Sequence, residues 1–208
     1  MTMPTDQSQA HWDSVYATKK SDEVSWYQAR PGVSLEFIGR AVRSKDARII
    51  DVGGGASRLV DALLDDGFQR VTVLDISPEA LARARERLGD RARLVTWIAA
   101  DIALWTPTAP FDIWHDRAVF HFLVDLEDRR AYRTALAAAL PLGGQAIIGT
   151  FASDGPERCS GLPVARYEPE TLDAELGPGF RLVESTHEDH RTPTGKVQRF
   201  QFSRFVRE

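Results

Sequence analysis

The 208-residue chain predicts an α/β fold: a mixed seven-stranded sheet, mainly parallel with an antiparallel last strand, and helices on both faces. Three observations predict it. Short apolar runs alternate with helix-period segments over most of the length, the pattern of parallel strands joined by crossover helices. Residues 47–77 form a complete strand–helix–strand unit around Gly53-Gly54-Gly55. After residue 179, two strand-like runs are separated only by a polar loop, so they should pair antiparallel.

Taken in order, residues 1–8 are polar and expected to be frayed at the terminus. Trp12, Val15 and Tyr16 recur at helical spacing and predict a short helix from Gln9, followed by a charged linker and the pair Trp26-Tyr27. Pro31-Gly32 marks a turn into a second helix bearing Leu35, Phe37, Ile38 and Val42. These N-terminal aromatics suit either a lid over a ligand or a staple holding the segment to the sheet. Residues 1–45 are expected to form this lid and first helix, and residues 46–208 the main domain.

Ile49-Ile50-Asp51-Val52 reads as the first strand, and Leu59, Val60, Leu63 and Leu64 as the stripe of the first crossover helix. Val71 to Leu74 forms the second strand. Ser77-Pro78-Glu79 supplies a cap and a first-turn proline for the next helix. Further strands are expected at residues 93–98, 111–115 and 145–151, with a helix over residues 127–140 ended by Pro141 and Gly143-Gly144. Residues 152–164 read as irregular, Pro169-Glu170 starts a helix through Leu176, and residues 180–184 and 197–205 make the last two strands. His187 and His190, flanking Glu188-Asp189, read as a solvated turn.

The glycine turn carries the first chemical signal. A strand that feeds straight into a helix presents unsatisfied N–H groups, and residues lacking a Cβ let a ligand approach that backbone. Asp75 stands 22 positions after Gly53, close to the spacing of roughly 20 at which a carboxylate reaches a ribose hydroxyl pair. Asp101, 26 residues later, falls at the end of the third strand, again where α/β sheets bind ligands.

Net charge −4 gives no footprint for nucleic acid. No apolar run approaches the ~20 residues of a membrane span, and the N-terminus lacks a secretory pattern, so a cytoplasmic location is expected. Cys159 is the only cysteine, which leaves no cysteine metal cluster, and the histidines lack a zinc spacing; no metal is expected. The Cys159 thiol is expected to be a buried, inert side chain rather than a redox or acceptor-binding one.

The order Asp51-x-Gly53-x-Gly55, Asp75, Asp101 and Leu142-Gly143-Gly144 resembles the class I S-adenosylmethionine (AdoMet) methyltransferases, whose fold is Rossmann-like. His11-Trp12-Asp13 with Tyr16 and Trp26 is similar to the N-terminus of small lysine methyltransferases that modify citrate synthase and elongation factor 1A. The resemblance implies that AdoMet is the cofactor and S-adenosylhomocysteine the product. It implies that Asp75, with Ile76 beside it, holds the ribose and that Asp101 and Ile102 meet the adenine. Trp12, Tyr16, Trp26, Asp51, Gly53, Gly55, His115 and Arg117 complete the expected cofactor set. The end of the fourth strand would face the transferable methyl, so His115, Asp116 and Arg117, with His121, are candidates for orienting the acceptor, and His121 or His115 for a base. The acceptor would be a small molecule or a protein side chain.

Two other classes fit the nucleotide unit. A nicotinamide-dependent oxidoreductase is one, although Ala56, Ser57 and Arg58 stand where a third glycine would pack around a pyrophosphate. A regulatory module that binds AdoMet without transferring a methyl is the other.

Overall fold

A computed structural model describes residues 5–208. Residues 1–4 of the terminus expected to be frayed lie outside the described residues, and helix α1 (Thr5–Thr18) begins earlier than the aromatic spacing indicates. Helix α2 (Gly32–Ala41) follows. Strand β1 (Arg48–Val52), helix α3 (Leu59–Asp65), β2 (Arg70–Asp75), α4 (Pro78–Leu88) and β3 (Val95–Ala99) make up two successive crossover units. The chain continues through β4 (Ile113–Arg117), α5 (Leu126–Ala139), β5 (Gln145–Phe151), the small hairpin β6 (Arg158–Cys159) and β7 (Leu162–Pro163), and α6 (Pro169–Leu176). It closes with β8 (Phe180–Arg191) and β9 (Val197–Arg207).

Seven strands form one sheet in the order β3-β2-β1-β4-β5-β9-β8. β1 pairs in parallel with both β2 and β4, while β9 runs antiparallel to β5 and β8. The chain therefore leaves β1 in opposite directions along the sheet, and the crevice beyond the carboxyl ends of β1 and β4 is the switch point at which such sheets bind ligands.

Strand periodicity builds both layers of the core. Ile49, Val71, Val73, Ile113 and Ile147 point to one face, where α2, α3 and α4 bring Phe37, Ile38, Leu59, Leu63 and Leu81. Their neighbours Ile50, Leu74, Trp114 and Ile148 point to the other, against Tyr132, Leu136, Leu172 and Leu176 of α5 and α6. With both faces covered, central strands read as continuous apolar runs.

Several boundaries differ from the sequence reading. Arg93 and Leu94 lie in a 3-10 turn, residues 89–94, that starts at the Gly89 cap, so β3 begins at Val95. β4 starts two residues late and includes Asp116 and Arg117. Residues 158–163 of the supposedly irregular segment form the β6–β7 hairpin. The largest correction is β8: the residues from His187 to His190 are part of the strand and not a turn, paired with Gln198 to Gln201 of β9. His190 is buried and donates from Nε2 to the Ser25 carbonyl at 2.7 Å. Glu188 accepts from Gln28 at 2.7 Å, so this polar stretch anchors the segment that carries Trp26.

Candidate active site

The glycine turn after β1 is pinned to the end of β2 by backbone hydrogen bonds. Gly53 N–H donates to the Leu74 carbonyl at 2.7 Å. Gly53 has φ +66, and a Cβ there would sit 2.0 Å from Val119 Cγ2. Gly55 has φ +41, and its Cβ would come within 2.8 Å of the Asp75 carboxylate and 3.1 Å of the Tyr16 hydroxyl. Both positions require glycine, for left-handed backbone and for close approach.

Asp75 ends β2, and its Oδ1 accepts from Ser77 N–H at 2.8 Å. Burial, reinforced by the charges of Asp51 and Asp13, pushes its carboxyl up from 3.8 to about 7. Asp13 of α1 accepts from the Ser77 hydroxyl at 2.5 Å, while the Ser77 hydroxyl caps α4 through Ala80 N–H at 3.1 Å. The N-terminal helix is thereby tied to the helix that follows Asp75. Asp101 closes an Asx turn onto Ala103 N–H at 2.9 Å, and its other oxygen accepts from the Thr5 hydroxyl of α1 at 2.7 Å.

These groups open into one cavity of about 750 Å³. Trp12, Tyr16, Trp26, Gly53, Asp75, Ile76, Asp101, Ile102 and Arg117 all line it. Trp12 meets Trp26 and Phe122 edge to face, with ring centroids 5.8 and 5.1 Å apart, and Tyr16 meets Trp26 at 6.2 Å. The N-terminal aromatics thus both line the cavity and pack the segment against α4, with Ala56 and Ala80 beneath.

The other expected site residues lie elsewhere. Asp51 and His115 are register partners on adjacent strands, and both are buried below the glycine turn. His115 pairs through Nδ1 with Asp51 at 2.7 Å and through Nε2 with the Ser34 hydroxyl of α2 at 2.9 Å. This triad fastens α2 to the sheet, with no ring nitrogen left over.

Asp116 faces the opposite side. It accepts from the Tyr132 hydroxyl at 2.7 Å and from Val119 and Phe120 N–H at 2.8 and 3.1 Å, which fixes the turn that packs Val119 on Gly53. His121 is buried behind Phe122 and Phe151, with ring centroids at 4.5 and 4.7 Å. Burial, helped by the Arg117 charge, lowers its pKa to about 3. Its Nδ1 accepts from Phe151 N–H at 3.4 Å, so the single proton of the neutral ring sits on Nε2 and neither nitrogen offers a free lone pair.

The sequence reading missed the far end of the cavity, made by Phe122, Phe151, Cys159, Leu162, Gln198 and Phe200. Phe200 and Gln198 share one face of β9 at a spacing of two, a signal obscured because Gln201 and Ser203 on the other face are buried too. Cys159 is buried and its thiol pushed up to about 11 by desolvation, which leaves it protonated at neutral pH.

Residues 49–144 match the methyltransferase domain family, and the chain is similar to class I S-adenosylmethionine-dependent methyltransferases. Among curated relatives, trans-aconitate 2-methyltransferase of Afipia carboxidovorans is 31% identical over 136 residues, 65% of this chain and 48% of the relative. Nodulation protein S of Rhizobium tropici is 29% identical over 104 residues, 50% of this chain and 43% of the relative. The chain thus spans about half the length of these relatives. The structure of the N-methyltransferase NodS from Bradyrhizobium japonicum WM9 with S-adenosyl-L-homocysteine superposes with a TM-score of 0.71 at 19% identity, covering 98% of both chains. That likeness is one of fold.

Proposed function

We propose that the protein binds S-adenosyl-L-methionine in this cavity and transfers its methyl group in line to a nucleophile on a small molecule. One observation carries the reading: carboxylates at the ends of β2 and β3 open into the same cavity as the Gly53 turn, and that cavity continues past the cofactor end to an aromatic chamber. A dinucleotide would need the third glycine that Ala56, Ser57 and Arg58 replace. A purely regulatory module would have no use for the chamber.

The residues fit the cofactor. Asp75 is a buried carboxylate with backbone donors and, among the described residues, no cation beside it, suited to two ribose hydroxyls. Asp101 would take the adenine amino group on the oxygen now held by Thr5. When bound, the sulfonium supplies an already activated methyl. The chain would supply alignment, exclusion of water by Trp12, Tyr16 and Trp26, and aromatic rings of the kind that attract a cation. His115 and Asp116 are engaged elsewhere and His121 turns its lone pair to Phe151 N–H, so none of these three serves as a base in this arrangement.

The test is calorimetric titration with S-adenosylhomocysteine and, separately, with NAD. Binding of the former alone supports the reading. Binding of NAD in its place overturns it in favour of hydride chemistry.

A further inference from the structure

We propose that the aromatic chamber binds a carboxylate on the guanidinium of Arg117, and hence that the methyl acceptor is a small apolar acid. This rests on the methyl-transfer reading above.

Arg117 is the last residue of β4, beside Gly149 of β5, and its side chain lines the cavity. Nη1 donates to the Trp26 carbonyl at 2.8 Å. Nε and Nη2 are buried and meet no acceptor among the described residues. The guanidinium carbon stands 5.0 Å from the centre of the Phe200 ring. Glu188 and Asp51 act on the charge from a distance, but neither forms an ion pair with it. Glu188 gives one oxygen to Gln28 and leaves Oε2 buried without a partner among the described residues, and Asp51 is turned to His115.

A guanidinium cannot shed its charge as a histidine can, and a buried charged donor without an acceptor is costly. The two unpaired nitrogens form one edge of the guanidinium plane, the fork that matches the two oxygens of a carboxylate. The next residue, Ala118, has φ 73, a left-handed conformation that a non-glycine residue adopts at a cost and that is found at ligand sites. Burial works against the charge of Arg117, and an incoming anion would restore it.

The surroundings define the rest of the ligand. Trp26, Phe122, Phe151 and Phe200 supply apolar walls to the cavity that Arg117 lines. A protonated lysine or amine would meet a fixed positive charge, so the same residue selects against basic acceptors. A carboxylate is also already ionised at neutral pH and needs no proton removed.

The fork would equally take the amino-acid carboxylate of the cofactor, and the test separates the two sources. Calorimetry would measure S-adenosylhomocysteine and 5′-methylthioadenosine, which lacks the carboxylate, on wild type, Arg117→Gln and Arg117→Lys. Benzoate and its neutral isostere benzamide would then be titrated into each protein saturated with S-adenosylhomocysteine. Benzoate is expected to bind wild type about tenfold more tightly than benzamide. That preference should vanish in Arg117→Gln and return in part in Arg117→Lys. Equal or absent binding of the two probes to wild type would overturn the proposal. So would a loss of about tenfold in S-adenosylhomocysteine affinity in Arg117→Gln with methylthioadenosine unchanged, which assigns the fork to the cofactor. Failure of S-adenosylhomocysteine to bind wild type would instead refute the methyl-transfer reading. Thermal unfolding monitors folding, and Arg117→Lys carries the test if the glutamine variant is unfolded.

Discussion

Replacing Asp75 by asparagine should make the cofactor-free protein more stable at alkaline pH while removing its affinity for the nucleoside. In the folded chain the carboxyl is raised from 3.8 to about 7, chiefly by burial. A group that binds its proton more tightly when folded contributes stability that is complete below about pH 4 and lost as the pH climbs to about 7. Above that range the ionised side chain costs about 4 kcal/mol relative to a neutral one, from 1.36 kcal/mol for each tenfold change in acidity. The amide weakens the bonds from the Ser77 and Gly55 N–H groups, so a net gain of about 2 kcal/mol is expected at pH 8. For a chain of this size that is roughly 4–8 °C in Tm. The gain should shrink by about 2–3 kcal/mol between pH 8 and pH 5, where Asp75 of the wild type is protonated. Urea unfolding of both proteins at the two pH values measures it. An unchanged or lower stability at pH 8, or a difference that does not move with pH, would refute the reasoning.

Other outcomes follow from the same geometry. Gly53→Ala places a methyl 2.0 Å from Val119 Cγ2 at φ +66 and should cost at least about 2 kcal/mol by denaturant unfolding, with loss of nucleoside binding. Tyr132→Phe removes the hydroxyl shared by Trp114 Nε1 at 2.8 Å and Asp116 at 2.7 Å, and should lower stability by about 2–3 kcal/mol. Trp12→Ala strips three edge-to-face contacts, with His11, Trp26 and Phe122, and a cavity wall; a tenfold or greater weakening of S-adenosylhomocysteine binding is expected, about 1.4 kcal/mol. Cys159, with its thiol pushed up to about 11, should react with a disulfide reagent far more slowly in the folded protein than in urea.

Much of the fold was legible because two signals agreed. Central strands buried on both faces show as apolar runs, and their helices carry their own punctuation: the capping serine and proline at Ser77-Pro78, and Pro169-Glu170 at the start of α6. β5 and α6 have the expected bounds. β8 was legible only in its first residues because it lies at the sheet edge, where its side chains alternate between half-buried and exposed and few need be apolar. Spacing put Asp75 and Asp101 at strand ends, and both line the cavity, since a strand end constrains where its last carboxylate lies.

Spacing carried no information on side-chain direction beyond β4. His115, Asp116 and Arg117 are consecutive, yet one fastens α2, one fixes a turn and one lines the cavity. The alternation of strand faces separates His115 from Asp116, but only tertiary packing decides what each one meets. Gln198 and Phe200 reach the cavity from β9, far along the chain, through a pairing that no local pattern encodes.

The most direct measurement is an experimental structure of the complex with S-adenosylhomocysteine. The account predicts ribose hydroxyls within hydrogen-bonding distance of Asp75, adenine at Asp101 with the Thr5 contact exchanged, and the sulfur turned toward Trp26 and the aromatic chamber. A nucleoside bound away from Asp75 and Asp101, or a sulfur facing away from that chamber, would contradict it.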